Sequence, residues 1–304
     1  MKNKFFMLFS LCLGVSLFVS NSFAKGPFFY SGDGRIKIQN SHNGKVVDVV
    51  YMDKEGTLSD QSFAKIDSVF GFPTQDKGEN ISRRLIAMLD YFSDLVAPDK
   101  TIKLVSGYRS PSYNQSLRDK GRIAAKTSTH IDGMAIDFSL SGVNGKELWE
   151  LIRSKKCCGV GNYGSSIVHL DAGRPRFWEA ATSKVDTGAS DFNRYIYISP
   201  EYDRYEAGEQ IRFVFTSVSD FGFGVLNRVS IVSDEEGNNE VLQAEIKGAS
   251  DKCVIIKDRK ASRFLYVSVP KKISQGRYRV KIDFCQRPSE EMPKSVVSGE
   301  FEIK

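Results

Sequence analysis

The sequence predicts an α+β domain, a mixed helix and sheet unit, followed by an all-β immunoglobulin-like sandwich. Three observations carry that prediction. Apolar residues recur at helical spacing twice, as Phe63, Ile66, Val69 and Phe70 and then as Ile81, Leu85, Met88, Leu89, Phe92 and Val96. Short β-rich runs bounded by glycine and polar residues alternate with these helices as far as about Val185. Beyond that point β-branched and aromatic residues dominate, with turn residues at sandwich-like intervals.

In chain order, Arg35–Gln39 and Lys45–Tyr51 read as two strands joined by the polar turn Asn40-Ser41-His42-Asn43-Gly44. His42 falls in that turn, a stabilising or surface position. The two helices follow, with Ser82 at the start of the second. Thr101–Ser106 is a short strand entering Gly107-Tyr108-Arg109-Ser110-Pro111, and Ser112–Lys120 resumes as a helix stopped by Gly121. Ala135–Phe138 and Ile167–Leu170 read as buried strands separated by a helix near Lys146–Arg153. The small, polar segment Val185–Asp191 then marks a boundary near Thr187, giving domains 25–186 and 187–304. In the second, runs such as Gln210–Ser217, Arg228–Val232, Arg263–Val269 and Arg277–Phe284 are strands, broken by turns such as Glu236-Gly237-Asn238. That domain holds no histidine. Binding a protein or other ligand, acting as a spacer, and stabilising the first domain are its open roles.

Composition bounds the rest. The 304 residues are 41% hydrophobic, which is globular, and are enough for two domains with their own cores. With 43 basic and 37 acidic side chains, the net charge of +6 is too mild to argue for nucleic acid, although a basic surface suits an anionic polymer. Residues 1–24 read as a secretory signal peptide: Lys2 and Lys4, the uncharged run Phe5–Val19, then the small residues Ser22 and Ala24 before the cut. The run falls short of the ~20 apolar residues of a membrane span, so no stable membrane anchor is expected and the location is periplasmic or secreted. Cleavage leaves Cys157, Cys158, Cys253 and Cys285 in a compartment where disulfides persist. Three pairings are open, with Cys253–Cys285 preferred because it lies within one domain. A Cys157–Cys158 bridge is disfavoured, because adjacent Cα atoms are ~3.8 Å apart and disulfides usually span ~4.4–6.8 Å.

Chemistry centres on scarce histidines, three in the whole chain. Ser128-Thr129-His130-Ile131-Asp132-Gly133-Met134-Ala135-Ile136-Asp137 sets a loop histidine before a strand aspartate. Val168-His169-Leu170-Asp171 projects His169 and Asp171 from one strand face. Two imidazoles and one carboxylate make up a catalytic zinc set with water in the fourth position, whereas isolated histidines are ordinarily structural. No Ser-His-Asp or Cys-His arrangement is open to histidines that also hold metal. Gly159-Val160-Gly161-Asn162-Tyr163-Gly164 matches GxGxxG, but a dinucleotide fingerprint must open a helix and the next element here is a strand. These glycines therefore read as a loop lining a cleft, with Tyr163 on its wall.

The words Ser106-Gly107-Tyr108-Arg109-Ser110, Ser128-x-His130-x-x-Gly133-x-Ala135-x-Asp137, Val168-His169-Leu170-Asp171-x-Gly173 and Arg176-Phe177-Trp178 stand in the order of a known family. Together with the Asn40-x-His42-x-Gly44 hairpin they resemble the zinc D-alanyl-D-alanine carboxypeptidase superfamily, and within it the periplasmic murein endopeptidase branch. The resemblance implies that His130, Asp137 and His169 bind Zn²⁺ and that the substrate is a peptidoglycan stem peptide or cross-link. It implies that Arg109 meets a substrate carboxylate or the developing oxyanion, a surface salt bridge being the plain alternative, while Ser106 and Tyr108 position substrate, brace Arg109 or merely pack. Relatives place an acid three residues before the last zinc histidine, where this chain has Ser166. Asp171, then Asp132, become the candidates for general base, each with the alternative of orienting a zinc-bound imidazole. The function implied is zinc-dependent hydrolysis of peptide bonds in peptidoglycan, by carboxypeptidase or endopeptidase action. The alternatives are a wall-binding or scaffold protein without turnover, and an amidase or esterase on another wall substrate.

Overall fold

The computed structural model describes residues 26–73, 80–122, 124–183, 191–233 and 241–304. The signal-peptide segment, the boundary at Thr187 and the turn at Gly237 lie outside the described residues. Helices and sheets are mixed, the α+β class the sequence predicts. Among the described residues no helix is long and apolar enough to cross a membrane.

The first unit opens with strands β1 (Arg35–Asn40) and β2 (Val46–Val50), followed by helices α1 (Asp60–Phe70) and α2 (Arg83–Val96). Then come β3 (Ile102–Ser106), α3 (Pro111–Asp119), β4 (Ala135–Leu140), α4 (Gly145–Ser154), β5 (Gly159–Asn162), β6 (Val168–Asp171) and β7 (Arg176–Glu179). Each α-helix starts at a residue whose side-chain oxygen accepts a backbone N–H: Ser59, Ser82, Ser110 and Asn144. Helix α1 stops at Gly71, whose φ of +74° suits glycine. The apolar stripes predicted for α1 and α2 are buried, from Phe63 through Phe70 and from Leu85 through Phe92. They cover one seven-stranded sheet, ordered β2-β1-β3-β4-β6-β5-β7. Its central strands β4 and β6 are antiparallel, with Asp137 opposite His169.

Two of these strands were hidden in the sequence. The segment read as a glycine loop is strand β5, paired antiparallel with β6 and parallel with β7. Its glycines are required by close approach. A Cβ on Gly159 would lie 2.2 Å from Asp171 Oδ2, and one on Gly161 would lie 2.1 Å from the Trp178 ring. The residues that fit the strand are thus the ones least typical of strands.

Among the described residues of the second unit, the regular elements are strands apart from the single turn of 3₁₀ helix Ala261–Arg263. Strands β8 (Tyr197–Pro200), β9 (Arg204–Tyr205), β10 (Gln210–Thr216), β11 (Phe223–Leu226), β12 (Arg228–Ser233) and β13 (Val241–Glu245) come first. They are followed by β14 (Cys253–Ile256), β15 (Leu265–Ser268), β16 (Gly276–Gln286), β17 (Ser295–Val297) and β18 (Phe301–Ile303). One sheet runs β15-β10-β8 and a larger one β13-β12-β16-β11-β14, and both feed a second apolar core that includes Phe213, Phe215, Val225, Ile231 and Val280. Cys253 and Cys285 are bridged, the preferred pairing, beside Gly224, where a Cβ would meet both sulfurs. Cys157 and Cys158 are joined as well, against the expectation from their spacing.

The two cores are tied together by buried polar contacts. Arg84 of α2 pairs with Asp203 at 2.8 Å, the side chains only 8% and 1% exposed. The second carboxylate oxygen of Asp203 accepts the Phe29 N–H at 2.9 Å, and its own N–H is donated to Pro27 O. Ser199 Oγ donates to Ala172 O, just after β6. Asp203→Ala leaves a buried guanidinium without its partner and should cost about 3–5 kcal/mol in a urea or thermal unfolding measurement.

A second buried carboxylate sets a pH dependence. Burial raises Asp90 to about 8, although Tyr51 Oη and the Gly34 N–H both donate to its Oδ2, and the nearby Asp94 and Asp33 add to the rise. The folded chain therefore keeps a proton that the unfolded chain, with an ordinary aspartate near ~3.9, releases. Stability falls as pH rises through that window and levels off above about 8. Asp90→Asn, which keeps both accepted hydrogen bonds, should flatten the profile of melting temperature against pH between about pH 5 and 8.

Candidate metal centre

Sheet register assembles the site. The antiparallel pairing of β4 with β6 sets Asp137 beside His169, while the turn preceding β4 carries His130 under the end of β3. A ligand atom from each of His130, Asp137 and His169 lies within 4.8 Å of the others, and all three side chains are buried. The three predicted ligands are thus brought together.

The hydrogen bonds fix which nitrogen faces inward. His130 Nδ1 lies 2.7 Å from Gly107 O, and a carbonyl only accepts, so Nδ1 carries the proton. His130 Nε2 then presents its lone pair 3.3 Å from Asp137 Oδ1, buried and without a hydrogen-bond partner. His169 Nε2 lies 2.9 Å from Asp171 Oδ2, an ionised acceptor, so this nitrogen donates and Nδ1 faces Asp137 Oδ1 at 2.9 Å. Two imidazole nitrogens and a carboxylate oxygen therefore converge on one small volume with acceptors facing acceptors. Such a set calls for a proton or a cation between them, and its donor types fit Zn²⁺.

The electrostatics agree. Burial disfavours charge on Asp137, but His130 and His169 outweigh it and hold this carboxyl well below the ordinary range. Burial pushes the His130 imidazole down, with Asp137 only partly offsetting it. At His169 burial acts the same way, yet the hydrogen bonds with Asp137 and Asp171 win and raise its affinity for a proton.

Around this cluster the other predicted residues sort themselves by contact. Arg109 Nη2 donates to Asp137 Oδ2 at 2.9 Å and its Nε to Ser106 Oγ at 3.0 Å, so Ser106 braces Arg109. Tyr163 Oη donates to Asp137 Oδ1 at 3.0 Å. Tyr108 is on the other side of its loop, its ring edge-on to Phe72 at 4.7 Å, and does not reach the cleft. His42 stabilises its turn, with Nε2 2.7 Å from Val105 O.

Neither expected base faces the cluster. Asp171 is fully buried behind His169, where its oxygens also meet the Gly173 N–H and Arg176, and these partners hold it ionised against the cost of burial. Asp132, two residues from His130, turns the opposite way and pairs with Arg259 of the β-rich unit. Ser166 is exposed in the turn before β6. The cleft beside the cluster, about 260 Å³, has no carboxylate among the described residues on its wall.

Several contributors escaped the sequence reading. Trp178 of β7 reaches across Gly161 to lie 5.6 Å from the His169 ring and 5.1 Å from that of Tyr163. Tyr195 and Ser217 bring the β-rich unit to the cleft wall. That unit also grips the loop carrying His130: Arg259 pairs with Asp132, Arg263 Nη2 donates to Ile131 O at 3.0 Å, and Thr127 Oγ1 donates to Asp191 at 3.1 Å. Trp178 was signalled only indirectly, by its place in the word Arg176-Phe177-Trp178 and by the glycines of β5. The long-range contacts had no signal in one sequence.

The family described as Peptidoglycan L,D-endopeptidase MepK matches residues 31–178. The protein named peptidoglycan L,D-endopeptidase MepK in Escherichia coli K12 is 31% identical over 144 residues, 47% of this chain and 79% of that relative, and its counterpart in Shigella flexneri gives the same figures. A probable peptidoglycan L,D-endopeptidase MepK of Haemophilus influenzae is 40% identical over 79 residues, 26% of this chain and 42% of the relative.

Arg259→Ala leaves Asp132 buried with one neutralising partner fewer. Amide hydrogen exchange in residues 129–134 should accelerate at least tenfold, read by mass spectrometry, while exchange in α2 stays protected.

Proposed function

We infer the function from the premise that this chain belongs to the peptidoglycan L,D-endopeptidase MepK family, in the murein endopeptidase branch of the zinc D-alanyl-D-alanine carboxypeptidase superfamily. The protein is a zinc peptidase that hydrolyses peptide bonds in peptidoglycan stem peptides or cross-links. The observation that carries this reading is the convergence of His130 Nε2 and His169 Nδ1 on Asp137 Oδ1 beside an open cleft.

His130, Asp137 and His169 are the residues that would hold Zn²⁺, which when bound lowers the pKa of a water toward ~7 and polarises a scissile carbonyl. The chain's own groups keep these ligands in place. Gly107 O and Asp171 each accept the outer N–H of one imidazole, fixing tautomer and ring angle. Arg109 and Tyr163 do the same for the two oxygens of Asp137. In this reading Asp171 orients His169, the alternative left open for it, and Asp132 anchors a loop. Arg109 lines the cleft, and its remaining N–H groups are donors for a substrate carbonyl or carboxylate. Trp178 and Tyr163 form an apolar wall against which a peptide side chain rests.

The chain is organised as a signal peptide over 1–24, a catalytic domain over 25–186 and an immunoglobulin-like β-sandwich over 187–304, working in the periplasm or outside the cell. The sandwich braces the His130 loop, which favours the stabilising role over a detachable module. One observation favours a second reading, a wall-binding protein without turnover: among the described residues no carboxylate stands on the cleft wall to accept a proton.

Residues 25–304 incubated with peptidoglycan should release peptide fragments identifiable by mass spectrometry, with release stopped by a chelator and restored by zinc. Intact substrate with zinc still bound would instead establish the wall-binding reading. His169→Ala should abolish zinc retention and cleavage together. Asp171→Asn should keep the ligand set but weaken zinc about 10–100-fold in a chelator competition.

A further inference from the structure

The wall of the cleft carries three guanidinium groups and, among its described residues, no carboxylate. Two of the three are already matched. Arg109 is tied to Asp137 Oδ2 at 2.9 Å, and Arg176 to Asp171 at 2.8 Å. The third, Arg174, makes no ion pair with any described residue. Its guanidinium instead lies over the ring of Tyr195, 5.2 Å from the centroid. Tyr195 belongs to the segment that leads into β8, beyond the stretch matched by the family, and is 53% exposed.

This arrangement has a specific physical content. A guanidinium held over an aromatic face keeps its charge and its outward N–H donors while losing conformational freedom. An unmatched charge at the rim of a cleft whose described wall residues include no carboxylate acts on whatever anion enters. The planar fork of donors selects an anion with two coplanar oxygens at one carbon.

We propose that Arg174, seated on Tyr195, is a substrate-positioning residue that binds a free carboxylate of the peptide, beside the amide presented to the His130, Asp137 and His169 cluster. The inference rests on the peptidase reading and adds its substrate class: a peptide bearing an unamidated carboxylate next to the bond to be cut. It also gives the β-rich unit a direct part in recognition, because Tyr195 supplies the platform.

The test compares two cross-linked peptidoglycan peptides, identical except that the carboxylate neighbouring the scissile bond is free in one and amidated in the other. Steady-state cleavage and equilibrium binding are measured for residues 25–304 as wild type, Arg174→Gln, Arg174→Lys and Tyr195→Leu, each checked for an unchanged melting temperature. The wild type should favour the free acid by about tenfold in kcat/KM, mostly through KM, the difference of ~1.4 kcal/mol expected for one charge-assisted contact. In Arg174→Gln that preference should fall to about one, in Tyr195→Leu it should fall part of the way, and Arg174→Lys should recover some of it. A preference that survives Arg174→Gln, or a wild type indifferent to amidation, overturns the proposal. If the wild type cleaves neither peptide, the peptidase reading fails, and the binding arm decides the subsite by the same ratio.

Discussion

The first unit is arranged around one oxygen. Asp137 Oδ1 accepts from Tyr163 Oη and is faced by the buried nitrogens His130 Nε2 and His169 Nδ1 beside the cleft. Lone pairs so placed repel one another unless a cation or a proton lies among them, and the rest of the structure keeps them from turning away. Gly107 O and Asp171 hold the outer edges of the imidazoles, while Arg109 takes the outer oxygen of the carboxylate. The strain of assembling this set is borne by the register of β4 against β6, which is fixed in turn by the apolar faces buried on both strands.

The β-rich unit shares in that constraint. A buried Arg84–Asp203 pair and the Ser199 bond to Ala172 O fix one unit on the other, and Arg259 and Arg263 reach from it to the loop beneath His130. Ionic contacts with so little exposure are poor sources of net stability, but losing one partner is costly because it leaves a bare buried charge. The relative position of the units is thereby defined more sharply than apolar contact alone would define it.

Much of this was legible beforehand, for a physical reason in each case. Helices α1 and α2 announce themselves by a 3.6-residue apolar period, and the β1–β2 hairpin by alternation around a polar turn. His130, Asp137 and His169 stand out because histidine is rare here and the surrounding words are distinctive. What could not be read depends on partners far away in sequence. Strand β5 was disguised because Gly159 and Gly161 give way to Asp171 and Trp178, side chains the local sequence does not contain. Asp132 and Asp171 looked alike as acids beside histidines. Only Arg259, 127 positions on, and the ring edge of His169 distinguish an anchor from an orienting group.

The grip on the His130 loop has a kinetic corollary. Its fastenings join residues 127 and 132 positions apart, so they close only after the β-rich unit has been synthesised and has folded. Loop-closure entropy delays such contacts relative to the local ones that build α1, α2 and the β1–β2 hairpin. The His130 loop is therefore fastened later than the local elements around it.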